Sequence, residues 1–159
     1  MNNPQSYIFH FQQGKAEGSH ALKEILGNKG AGLAEMSKIN IPVPPGFTIS
    51  SELCQINLDD SFFTENFIPK INQAINKLES LLELKFGGKT KPLLLSVRSG
   101  ARVSMPGMME TVLNLGLNDE TVVGLAKLTN NEVFAYDCYR RFIEMFSDVV
   151  LGVNKSLFG

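Results

Sequence analysis

Residues 94–118 read LLSVRSGARVSMPGMMETVLNLGLN, and this stretch decides the fold. The apolar run from Leu93 to Val97 reads as a buried strand. It stops at Arg98 and gives way to a long loop. The loop carries Ser99, Gly100, Ser104, Pro106, Gly107, a second arginine at Arg102, and Met105, Met108 and Met109. A strand ending in an arginine and a Gly/Ser loop can present an anchored cation and several backbone amides to an anion, and a guanidinium fork suits phosphate oxygens. A structural ion pair to a carboxylate is the equally plain use of Arg98. Arg102, inside the loop, reads first as a solvated side chain. The methionines serve equally as core plugs or as part of a flap that lets Gly107 approach a ligand.

Upstream, Gly27–Met36 reads GNKGAGLAEM and places Lys29 between glycines just before an expected helix. Backbone N–H groups at a helix start, the helix dipole and a lysine together suit phosphate. A Gly-rich turn that merely caps a helix explains the residues as well, and the phosphate-loop pattern GxxxxGK[ST] is absent.

The elements around these two segments follow from local signals. Tyr7–Phe11 alternates aromatics and reads as a strand. Ala21–Leu26 reads as a short helical turn ending at Gly27, followed by a helix from about Gly30 to Ile39. Pro42, Pro44 and Pro45 exclude helix over the next stretch. Residues 65–85 form the clearest helix, with Ile68, Ile71, Ile75, Leu78 and Leu82 at the helical period and Gly87–Gly88 as the stop. Asn118–Asp119 supplies a cap for a helix from Thr121 to Leu128. Thr129–Asn131 is a turn and second cap before a helix from Glu132 to Leu151. The pattern is α/β (α+β). Residues 1–116 read as a mixed lobe and 117–159 as a helical subdomain that looks truncated.

Bulk properties narrow the function. The 159 residues carry a net charge of −1, with no block of like charge, which argues against a general nucleic-acid or anionic-membrane binder. No apolar run approaches the roughly 20 residues that span a bilayer, and the start lacks the pattern of a secretory signal. Cys54 and Cys138, far apart and without nearby histidines, read as reduced, buried or half-buried fillers in a cytoplasmic protein. No metal-ligand set stands out.

GNKGAGLAEM and, downstream of it, VRSGARVSMPGMMETVLNLGLND resemble the nucleotide-binding domain of the pyruvate, phosphate dikinase family, in the order that family uses, and the likeness runs through essentially the whole chain. The resemblance implies the N-terminal lobe of an ATP-grasp-like domain followed by the start of a helical subdomain. It implies ATP contacts at Lys29, Arg98 and Gly107, with Arg102 and Arg141 as phosphate contacts. Asn28 and Gly32 depart from the usual GGKGxNLAEM, but neither removes a charge. Arg140 and Arg141 lie between Tyr139 and Phe142. One of them is expected to pair with Asp137 or Glu144 at helical spacing, leaving the other to reach phosphate.

The family forms phosphoenolpyruvate, AMP and diphosphate from ATP, pyruvate and phosphate. It uses Mg²⁺, a monovalent cation and a phosphohistidine on a separate domain, passes the phosphoryl group to a pyruvate-binding domain, and forms homodimers. Neither His10 nor His20 has the Thr-Ser-His-Ala surroundings of that histidine, so the resemblance puts no catalytic residue in this chain and the metal ligands outside it. Alternatives are a water dikinase of the same superfamily, whose loop typically lacks SMPGMM, and a free-standing nucleotide-binding module.

Overall fold

The computed structural model of the chain describes residues 7–55, 60–100 and 111–158. The chain is mixed helix and strand, with small sheets. It divides into two compact units: one takes the described residues up to Leu81 together with Gly100, the other Leu82–Ser99 and the described residues from 111 onward.

The first unit is built on a three-stranded antiparallel sheet in the order β2-β1-β3. β1 is Ile8–Gln12, β2 Lys15–Ala16 and β3 Gly46–Ile49. Gly14, at φ 78°, makes the turn between β1 and β2. β1 pairs with β3 in the register Ile8↔Ile49 to Phe11↔Gly46. Between these strands the chain forms α1, Lys23–Lys38, which contacts all three strands. α1 buries a stripe of small residues, Gly27, Gly30, Ala31, Ala34 and Ser37, beside Leu26. The proline segment 41–45 has no regular structure, as three fixed φ angles demand.

A longer helical stretch follows: α2 is Asp60–Phe62, a π-helical turn covers Phe63–Phe67, and α3 is Ile68–Leu82. The periodicity predicts this helix well, but its stop is not the expected glycine pair. Glu83 turns left-handed at φ 55° directly after Leu82, and Gly88 serves instead in the next turn, donating its N–H to the Lys85 carbonyl at 2.9 Å.

The second unit corrects the expectation of one buried strand from Leu93 to Val97. Two short strands occupy this stretch. β5, Pro92–Leu93, pairs in parallel with β4, Lys85–Phe86. β6, Leu95–Val97, pairs antiparallel with β7, Val112–Leu115. Leu93 is buried but Val97 is 47% exposed, because the change of partner turns the second half of the run outward.

α4, Thr121–Thr129, and α5, Glu132–Val149, complete this unit. The Asn118 side chain caps α4, accepting N–H bonds from Glu120 at 2.9 Å and Thr121 at 2.8 Å. Asn130 is left-handed at φ 51° and ends α4, and Asn131 caps α5 by accepting the Phe134 N–H at 2.9 Å. Leu117, Val122, Leu125 and Ala135 form the core, with Leu94, Cys138, Tyr139 and Phe142 packed around it. Burial first, then the Asp137 carboxylate, raises the Cys138 thiol pKa, in keeping with a filler. Cys54 is exposed rather than a filler, since its short 3-10 turn buries Leu53 instead.

Candidate functional site

The segment around Lys29 is shaped by Gly27. Helical angles fail at this one residue of α1, where φ is 70° and ψ 171°. Only glycine adopts that combination without strain. The break divides α1 into a short turn ending at Leu26 and a straight helix to Lys38. Lys29 therefore lies in the first turn of the second piece, and its side chain is exposed. This is the local geometry that favours an anion: first-turn amides at the positive end of a helix dipole, with an ammonium alongside.

Two further contacts fix the break within the same unit. Gly30 faces β3 so closely that a Cβ there would stand 2.7 Å from the Thr48 Cγ2. Gly100, the glycine two residues after Arg98, lies near the same turn, where a Cβ would stand 3.6 Å from the Leu26 carbonyl oxygen. Gly100 and the residue before the Gly27 break are thus neighbours within the first unit. Nothing in the periodicity announces the Thr48 contact. The signal available was Gly30 itself, a glycine inside a helix, which marks a close approach.

Arg98 directly follows β6 and is exposed. Its strand end is exposed too, so the expectation of a stem anchored by a buried strand does not hold. Arg102 and Gly107 lie outside the described residues, as do Met105, Met108 and Met109.

Arg141 is on α5, 62% exposed, with Nε 2.8 Å from the Asp137 carboxylate. Arg140 also holds Asp137, at 2.9 Å, and pairs with Glu144 one turn on. Both arginines therefore share Asp137, where one engaged and one available had been expected. The Arg140 hydrogen bond, then the Arg141 charge, hold the Asp137 carboxyl below its ordinary range.

His10 is half-buried, edge-on to Phe47 at 6.0 Å between ring centroids. Burial and then the Lys77 ammonium lower its pKa from the ordinary 6.5, against the Glu17 carboxylate, which raises it. His20 is exposed, and its backbone N–H bonds the Glu35 carboxylate at 2.8 Å. Among the described residues no three His, Cys, Asp or Glu side chains gather to hold a metal ion, and no helix is long and apolar enough to cross a membrane.

No protein-family model matches the chain. Curated relatives match it over 95% of its length, among them the following three. Pyruvate, phosphate dikinase 1, chloroplastic, of Oryza sativa subsp. japonica is 50% identical and covered over 16% of its own length. Pyruvate, phosphate dikinase of Rickettsia bellii is 48% identical, with 17% covered. The chloroplastic enzyme 1 of Zea mays is 51% identical, with 16% covered. The chain spans about a sixth of the length of the relatives it matches. At such identity over nearly all of its residues, the chain is a homologue of one segment of the pyruvate, phosphate dikinases, which are phosphotransferases.

Proposed function

We propose that the chain is an ATP-binding portion of a pyruvate, phosphate dikinase, the N-terminal lobe of an ATP-grasp-like domain with the start of a helical subdomain. In this reading Lys29 and Arg98 hold the phosphates of ATP. The observation that carries it is the Gly27 break, which leaves a lysine in the first turn of a helix within a family-matching motif. Phosphoryl transfer depends on positioning and charge neutralisation more than on covalent chemistry, so a segment of cations and amides is a functional part without a nucleophile of its own. Gly107 is assigned to the same phosphates, and Arg102, with Arg141, to phosphate binding.

Arg141 is assigned to inorganic phosphate. It would bind by sharing or exchanging its half-exposed Asp137 partner, a surface pair that solvent screens and that is weak for that reason. Mg²⁺, when bound, would supply charge neutralisation at the phosphates; its ligands, a monovalent-cation site, the phosphohistidine and the pyruvate site are assigned to other parts of a longer, homodimeric, cytoplasmic enzyme. The 159 residues alone are expected to form no phosphoenolpyruvate.

The test is an amide-resolved NMR titration of the chain with ATP, which registers even millimolar binding. Shifts should concentrate at Asn28–Ala31 and Arg98–Gly100. Lys29→Ala and Arg98→Ala should each weaken binding roughly tenfold, the effect of losing one charge-assisted contact of about 1.5–3 kcal/mol after screening. Unchanged affinity in both variants would overturn the assignment.

A further inference from the structure

Gly30 does two things that a helix interior does not ordinarily require of glycine. It is buried against β3, and it leaves no space for a side chain. A Cβ at this position would stand 2.7 Å from the Thr48 Cγ2, 3.1 Å from its Oγ1 and 3.3 Å from the Leu26 Cβ. Real Cβ atoms do not approach other heavy atoms to 2.7 Å, so an alanine here must move something. Thr48 can turn only partly out of the way. It is β-branched and stiff at χ1, and with both γ atoms facing the helix, every staggered rotamer keeps at least one of them there. Its backbone is held as well, since Thr48 lies mid-strand opposite Phe9 in the β1–β3 ladder.

The helix is therefore the part that gives. Leu26, the third atom set around Gly30, is the residue immediately before the Gly27 break. Displacing Gly30 from β3 thus displaces the turn that carries the amides of Asn28 and Lys29. Gly32, in contrast, has nothing within 4 Å of where its Cβ would be, so a methyl there is harmless and provides an internal control on the same helix.

We propose that Gly30 is a positioning residue for the nucleotide phosphates, acting through its clearance from Thr48. The missing Cβ sets how deeply α1 seats on β3, and the seating depth sets where the Gly27–Lys29 amides and the Lys29 ammonium meet the ligand. The proposal rests on the ATP-binding reading above.

The same NMR titration tests it, run on wild type, Gly30→Ala, Gly32→Ala and the double variant Gly30→Ala/Thr48→Ala. A misplaced turn forfeits about one charge-assisted contact, so Gly30→Ala should bind ATP at least roughly tenfold more weakly while keeping its overall fold. Gly32→Ala should match wild type. Removing both Thr48 γ atoms should restore most of the affinity. Because this also relieves any general destabilisation, the loss in Gly30→Ala must be seen with a single folded species in its spectrum, and a loss accounted for by an unfolded population overturns the proposal. Wild-type affinity in Gly30→Ala, or a loss that Thr48→Ala leaves uncorrected, overturns the proposal alone. No shifts at Asn28–Ala31 in wild type overturn the ATP reading and this proposal with it. If Gly30→Ala does not fold, a folded double variant with wild-type affinity supports the clearance, and a folded double variant that binds as poorly as Lys29→Ala refutes it.

Discussion

α1 and α5 pack within their own units by opposite means. α1 buries almost nothing but small residues, Gly30, Ala31, Ala34 and Ser37 among them, and approaches its sheet backbone-first. α5 buries only Ala135 completely and covers α4 with the larger bodies of Cys138, Tyr139 and Phe142. The difference separates precision from adhesion. A helix seated through glycine and alanine has its height fixed by contact distances, and any added atom lifts it. A helix seated through half-buried aromatics gains apolar area, and repacking can absorb small changes. The exacting interface lies beneath Lys29; the tolerant one supports a pair of surface arginines.

The contrast can be broken from either side. The largest effect is expected from removing bulk where bulk holds the unit together. Leu125→Ala, in the core with Leu117, Val122 and Ala135, should cost about 3 kcal/mol of unfolding free energy by urea denaturation; a loss below about 1 kcal/mol would mean that this core collapses around the gap. Adding bulk should matter next, beneath α1. Ala34 is buried, and a Cβ on neighbouring Gly18 would already stand 3.3 Å from the Ala34 Cβ. Ala34→Leu should therefore cost about 2 kcal/mol, and calorimetry finding no loss would show α1 to be no more tightly seated than α5.

The smallest effect is one of pH. His10 belongs to the same sheet that α1 covers, and burial lowers its pKa below the ordinary 6.5. As pH falls past that value the unfolded chain takes up the proton first, so stability present above it is lost toward acid. His10→Gln should flatten the decline in denaturation midpoint between neutral and mildly acidic pH, and an unaltered slope would place the acid sensitivity elsewhere.

The same contrast separates what the sequence discloses from what it hides. Helix ends were legible at Gly27, Asn118 and Asn131, since capping and positive φ at glycine are local properties. They were not legible at Glu83, whose left-handed turn ends α3, nor at Val149, where α5 ends short of Gly152. The split of Leu93–Val97 between two sheets was not legible, because it is decided by partners at Lys85–Phe86 and Val112–Leu115. The exposed end at Arg98 follows from that split. At the candidate site, the motif disclosed Lys29 and the need for Gly27, but not why Gly30 must lack a side chain. That reason lies on β3, at Thr48, across the long proline segment.

The register of β1 against β3 also bears on how the first unit assembles. Ile8 meets Ile49 and Phe11 meets Gly46, so α1 and the proline segment together form the loop that must close before any bond of this ladder can exist. Loop closure costs entropy that grows with the logarithm of loop length, and the ladder repays it only once closed. α4 and α5 face no such delay, since Asn130 and Asn131 alone connect them. The helix that carries Lys29 thus lies inside the very loop that the β1–β3 ladder closes.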